Sequence, residues 1–217
     1  MAEYLEAGLG WLLSSLRARD DKLFIKGEAF ADHPEPTLIV NSPECGASNS
    51  ALSLRHAQLG PSQFPHLAWH TDAATPSIKE YLLIVEDPDA PLPTPVTHGL
   101  YYAIPASVTH VTNEDFQLVS EESGDHSLYG GFKFGQNRRG TVYSGPRPVM
   151  GHGPHRYWFE VIGLKEPVDL AALSPKATKE ELAREITGKV RGWGVWIGMY
   201  ERKRGETPTE GASSTST

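Results

Sequence analysis

Residues 80–91 read Glu-Tyr-Leu-Leu-Ile-Val-Glu-Asp-Pro-Asp-Ala-Pro. Five consecutive apolar residues, 81–85, are too few for a free-standing helix and show no alternation. Such a run reads as a strand covered on both faces. The Asp87-Pro-Asp-Ala-Pro91 that follows stops it, because proline cannot donate to a ladder and aspartate favours turns. Two carboxylates are thereby set on a stiffened turn at the end of a buried strand.

Working outward, residues 37–41, 52–56, 99–104, 157–164 and 195–200 also read as short extended segments. The gaps between them hold mostly Pro, Gly, Asn and Asp. That spacing predicts a mainly β chain, an antiparallel sandwich; a parallel α/β fold would need helices in those gaps. Two peripheral helices are expected. One covers 3–18, where Leu5, Leu9, Leu12 and Leu16 make an apolar stripe widened by Tyr4, Trp11 and Leu13, and it should pack on the domain. The other lies near the C-terminus. Ser174-Pro175 offers one start and Thr178-Lys-Glu-Glu181 a capping box. Leu182, Ile186 and Val190 would form its apolar face, and Gly188 or Gly192 its end. Residues 1–202 then form one domain, and the Ser/Thr-rich 203–217 a flexible polar tail.

Composition narrows the partners. The chain has 217 residues, 39% hydrophobic and 22% charged, with a formal charge of −7. A negative balance disfavours nucleic acid. A single cysteine, Cys45, allows no internal disulfide and reads as a buried structural thiol. The first residues lack a signal-peptide pattern, and no apolar run could span a bilayer, so a cytoplasmic location is expected.

Three stretches carry chemistry: the Asp87–Asp89 turn, Val96-Thr97-His98, and Gly151-His-Gly-Pro-His-Arg-Tyr157. Each has a bland reading. The aspartates can be turn formers, His98 a satisfied core histidine, His152 an exposed loop residue, and Arg156 the ion-pair partner of Asp87 or Asp89. Yet Asp87 ends one strand and His98 begins the next, so pairing would bring them to one sheet end. Histidine, arginine and tyrosine together supply donors suited to an anion.

The Asp87–Pro91 turn and the Gly153-Pro-His-Arg156 loop resemble the two signature blocks of the phosphatidylethanolamine-binding protein family. Pro65-His-Leu-Ala-Trp69, Thr97-His98 and Tyr143-Ser-Gly-Pro146 fit the same pattern, and the ends look most like fungal members. The resemblance implies an antiparallel sandwich with a small pocket at one end that takes phosphate, carboxylate or phosphoethanolamine-like groups. Asp87, Pro91, His98, His155 and Tyr157 match its pocket-lining positions, with Asp89, Arg156 and Gly153 as structural support. Many animal members carry tryptophan before the pocket histidine. Here Val96-Thr97 stands there and Gly99 follows, which predicts a mouth that is wider or differently shaped.

In the expected pocket His155 and Tyr157 donate to anionic oxygens. A carboxylate, Asp87, holds His98 and favours its charged form. Ligand binding of a regulatory or ligand-presenting kind is the first reading. An alternative is an enzyme or enzyme auxiliary, with Asp87, His98 and His155 as acid–base candidates acting on a carboxylate or anhydride of a fungal natural-product pathway. A second alternative is a kinase or protease inhibitor, so a kinase, protease or biosynthetic enzyme is a possible protein partner. No cofactor is called for. No metal is expected either, because the Asp and His of these blocks lack a short ligand spacing.

Overall fold

The computed structural model describes residues 2–71, 77–120, 124, 126–203, 205 and 206. The expected tail at 203–217 falls almost wholly outside them.

Strand β4, Glu80–Asp87, is buried at every position. Tyr81, Leu83 and Val85 enter one core, while Leu82 and Ile84 enter a second on the other face. The missing alternation in the sequence is the signature of this double cover. Burying each such aliphatic side chain contributes about 1.5–3 kcal/mol, so both layers hold the strand.

Six strands form the larger sheet, in the order β2-β9-β8-β4-β5-β7. Its members are β2 (Ser50–Ala51), β5 (Val96–Pro105), β7 (Lys133–Phe134), β8 (His155–Leu164) and β9 (Val190–Tyr200) beside β4. Strands β1 (Leu38–Asn41), β3 (Leu67–Thr71) and β6 (His110–Val111) make the smaller sheet. Apart from the short parallel β2–β9 pair, all ladders between these strands are antiparallel. The sandwich core lies between the sheets, where Leu67, Trp69 and Val111 meet Leu83, Phe159 and Trp196. On the outer face of the larger sheet, helix α2 (Lys179–Glu185) and the turns over 20–30 form a third layer through Leu182, Leu23, Phe24 and Phe30.

Three expectations change. Residues 52–56 are not a strand: after β2 the chain makes a 3-10 turn at Leu54–His56. Helix α2 starts at the Thr178–Glu181 capping box, and Ser174 serves it only by bonding to Glu181. It ends at Glu185, Gly188 turns the chain at φ +75°, and Val190 opens β9 instead of extending the helix face.

The third change concerns α1, Ala2–Leu13. It touches the domain, but through its small residues. A side chain at Gly10 would overlap the Met150 carbonyl, and Ala7 backs onto Gly151. Leu5, Leu9, Trp11 and Leu12 face outward, as does Leu16 just beyond, with Leu9 52% and Trp11 74% exposed. Backbone-close seating at Gly10 leaves no room for the leucine face, so the stripe points to solvent. No helix of the described residues is long and apolar enough to cross a membrane.

Candidate functional site

Asp87 has the parity of Leu83 and Val85, so its side chain enters the inner face at the sheet end. Its Oδ1 accepts from the N–H groups of Asp89 (2.8 Å) and Ala90 (3.1 Å). This is the local turn chemistry that places aspartate here. Asp89 faces the other way and locks the second block. It accepts from Arg156 N, Nε and Nη2 at 2.8–2.9 Å, and Arg156 also reaches Asp20. Burial alone would raise the Asp89 pKa, but the Arg156 bonds outweigh it and hold the carboxyl below its ordinary value. Gly153, at φ +92°, lets the 151–157 loop turn into β8.

The remaining Asp87 oxygen, Oδ2, accepts from His155 Nδ1 at 2.8 Å. His155 Nε2 lies 2.8 Å from His152 Nδ1, and His152 Nε2 lies 2.9 Å from the Leu13 carbonyl. This corrects three expectations. Asp87 grips His155, not His98. His152 is a buried member of the cluster, 1% exposed, not a solvent residue. His155 sits behind the cavity with both ring nitrogens engaged, so it has no donor left for a ligand.

The chain Asp87–His155–His152–Leu13 contains three close polar contacts between two terminal acceptors. Each neutral imidazole carries one ring hydrogen, so the tautomers of His155 and His152 decide which contacts carry one. Burial, and then the neighbouring His155, press the His152 pKa down.

In front of this relay lies a cavity of about 280 Å³ lined by Asp87, Pro91, His98 and Tyr157. His98 Nδ1 is 2.5 Å from the Ser144 carbonyl, so that nitrogen carries the hydrogen. Burial, more than any neighbouring charge, lowers the His98 pKa. The ring is thereby held toward its neutral form, and Nε2 presents a lone pair. The Tyr157 hydroxyl is fully buried without a hydrogen-bond partner, and burial followed by the Asp87 charge raises its pKa. It remains a donor. The two rings meet edge to face at 5.1 Å. Gly99 does not widen the mouth, because the Tyr101 ring fills the space a side chain would take.

Sequence reading missed the rim. Arg138, Arg139 and Arg147 line the cavity mouth, are exposed, and make no ion pair among the described residues. Arg202 also lines it but is paired with Glu6 of α1. Neither Cys45 nor His152 contributes to the lining. The loop carrying the three arginines has no periodic signal; only the repeated Arg138-Arg139 marks it.

A family model described as phosphatidylethanolamine-binding protein matches residues 42–201. Among curated proteins, the chain is 44% identical over 200 residues to "Phomoidride biosynthesis cluster protein B" of Talaromyces stipitatus, covering 92% of this chain and 82% of that protein. A protein with the same description from a second fungus, Fungal sp., is 42% identical over 197 residues, covering 91% and 94%. Among solved structures, a putative phosphatidylethanolamine-binding protein homolog from Chlamydia trachomatis shares the fold at a TM-score of 0.62. It is 21% identical over 77% of this chain and 99% of that one. With both signature blocks at one sheet end and most of its length under the family model, the chain belongs to the phosphatidylethanolamine-binding protein family.

Proposed function

We propose that the cavity binds a small, multiply acidic ligand through one protonated acid group at its floor and further negative charge at its rim. The observation that carries this reading is the presence around one cavity of the Tyr157 hydroxyl and three arginines, none of them paired among the described residues. At the floor Tyr157 donates and His98 Nε2 accepts, which matches the C=O and O–H of a carboxylic acid or the P=O and P–OH of a phosphate. At the mouth Arg138, Arg139 and Arg147 suit the remaining anionic oxygens. A dicarboxylate, or a phosphate carrying a second acidic group, satisfies both ends.

Binding of this kind should take up a proton and be tighter near pH 6 than near pH 8. Calorimetric titration with phosphate and with small dicarboxylates tests it. Tyr157→Phe keeps the ring and removes the donor, so affinity should fall by roughly tenfold, since a net hydrogen bond contributes about 1 kcal/mol or somewhat more. No binding at either pH, or full affinity in Tyr157→Phe, refutes the reading.

A second reading is enzymatic action, or assistance to an enzyme, on a carboxylate or anhydride. It is supported by the neutral His98 Nε2, a competent general base, and by the likeness to proteins described as biosynthesis cluster proteins. Under it, His98→Ala abolishes turnover of a pathway acid or anhydride while affinity stays within a few-fold. Under pure binding, no turnover is seen in either protein.

A further inference from the structure

Away from the cavity, two turns that no sequence motif links bring three unlike ligand atoms together. We infer that Glu44, Cys45 and His56 form a site for a borderline-soft divalent cation, zinc above all. One carboxylate oxygen, the Cys45 sulfur and one imidazole nitrogen all lie within 4.8 Å of one another. Cys45 Sγ is 3.6 Å from His56 Nε2, and Glu44 Oε1 is 3.1 Å from the same nitrogen. Zinc bonds of about 2.3 Å to sulfur and about 2.0–2.2 Å to nitrogen and oxygen, at tetrahedral angles, set S···N near 3.6 Å and N···O near 3.3 Å. The two edges that meet at His56 Nε2 are thus close to those of a tetrahedral zinc site, and a fourth position is left for water or another ligand.

The supporting shell has the form metal ligands need. His56 is 2% exposed, and its Nδ1 lies 3.0 Å from the Gln63 carbonyl. That bond places the hydrogen on Nδ1 and turns the Nε2 lone pair toward Cys45 and Glu44, as second-shell carbonyls do for zinc-bound histidines. Ser42 Oγ accepts from Cys45 N–H and donates to the His66 carbonyl, fixing the 42–46 turn. Nε2 and a carboxylate oxygen are both acceptors, so 3.1 Å between them requires a cation or an added proton in the gap. Cys45 is partly exposed and Glu44 more so, which gives an ion a way in.

The charges balance: a thiolate and a carboxylate offset a divalent ion, and the imidazole stays neutral. Binding expels the thiol proton to solvent. Burial raises the Cys45 pKa, with the Ser42 bond opposing and Glu44 adding to the rise. A coordinated cation reverses that by holding the thiolate. Arg55 lies 3.6 Å from Glu44, and its guanidinium is shared with Gln63, so it moderates the affinity without filling the site.

The chain's single cysteine makes the test unambiguous. Chelator-treated full-length protein is titrated with cobalt(II), then with zinc as competitor. The expected result is one cobalt per chain, with a near-ultraviolet thiolate-to-cobalt charge-transfer band and the strong visible absorption of a four-coordinate ion, both abolished by zinc. Cys45→Ser should lose the charge-transfer band. Glu44→Gln, a surface change that leaves the fold intact, and His56→Gln should each weaken cobalt binding by at least about tenfold, the size seen even for outer-shell losses. His70→Gln, at an exposed histidine outside the site, should change nothing. Absence of the band in the wild-type protein overturns the site. So does a band of full affinity in both Glu44→Gln and His56→Gln, which would mean a simple thiol adduct, and so does its loss in His70→Gln.

Discussion

Glu86 and Asp87 are consecutive residues of β4, so their side chains leave opposite faces of the same sheet. Both are buried, yet their surroundings differ. Asp87, on the inner face at the strand end, accepts from two turn N–H groups and from His155. Glu86, on the outer face, accepts from Phe24 N–H and pairs with Lys179, and Glu160 of β8 lies beside it in the third layer. Neither oxygen of Glu160 closes a hydrogen bond. Burial first, and the Glu86 charge second, push the Glu160 pKa well above the carboxylate range, against weaker help from Lys179. At a strand end a turn supplies free N–H donors. Within the sheet the ladder has consumed them, and a carboxyl keeps its proton instead. One end of β4 thus holds a fully hydrogen-bonded acid next to a cavity, and the face behind it holds an unsatisfied acid in a core.

Breaking the inner arrangement should have the largest effect. Asp87→Ala removes the acceptor of two turn N–H groups and of His155 Nδ1. Each buried donor left without a partner costs about 1–3 kcal/mol, so a loss of about 3 kcal/mol or more is expected. Urea unfolding should show that loss at neutral pH, together with loss of the Asp87-lined cavity's ligand affinity. A change below about 1 kcal/mol would mean that the relay is solvated and the contrast with Glu160 false.

The outer arrangement should respond with the opposite sign. Glu160→Met replaces an unsatisfied buried acid by an apolar side chain of similar reach. Removing an unpaired buried polar group should stabilise the protein by about 1–3 kcal/mol. Unfolding midpoints of the two variants, one down and one up, are the sharpest form of the comparison.

Sequence reading reached the first of these regions and not the second, for physical reasons. The Asp87 turn was legible because aspartate and proline there are local backbone chemistry, and β4 because double burial erases alternation. Antiparallel pairing then carried His98 and Tyr157 to the same end. Glu160 looks like an ordinary charged residue in Arg-Tyr-Trp-Phe-Glu-Val, since period two says which face it joins but not that the face is covered. His152 depends on where α1 ends, because its partner is the Leu13 carbonyl. The leucine stripe of α1 misled because amphipathicity marks an apolar face without saying that the domain meets the helix closely at its small residues Ala7 and Gly10.

The two regions should also pull stability in opposite directions with pH. A carboxyl whose folded pKa is raised binds more protons folded than unfolded, so Glu160 and Glu86 contribute stability that is lost as pH rises above their ordinary value of 4.5. A histidine whose folded pKa is lowered does the reverse: His98 and His152 lose stability as pH falls below their ordinary 6.5. Each proton changes the stability by up to about 1.4 kcal/mol per pH unit. Glu160→Met should therefore gain more over wild type at pH 8 than at pH 5. An equal gain at both would show that Glu160 is ionised in the fold.

The smallest effect sharpens the comparison at the cavity mouth. Arg147 is exposed and unpaired among the described residues, so Arg147→Ala should leave stability within about 0.5 kcal/mol of wild type. On the anion reading it should still weaken phosphate or dicarboxylate binding. An exposed charge contact contributes about 0.2–1 kcal/mol, which is at most about fivefold. The loss should shrink in concentrated salt, because exposed charges are screened over about 3 Å at 1 M. The Tyr157→Phe loss should persist there, since that donor is buried and neutral. Titrations of both variants at low and high salt separate rim from floor. If Arg147→Ala lowers stability as much as affinity, the arginine is structural after all, and the rim joins the outer cluster as part of what holds the fold. If affinity alone falls, and only at low salt, the positive mouth serves the ligand, while the buried acids behind β4 serve the core.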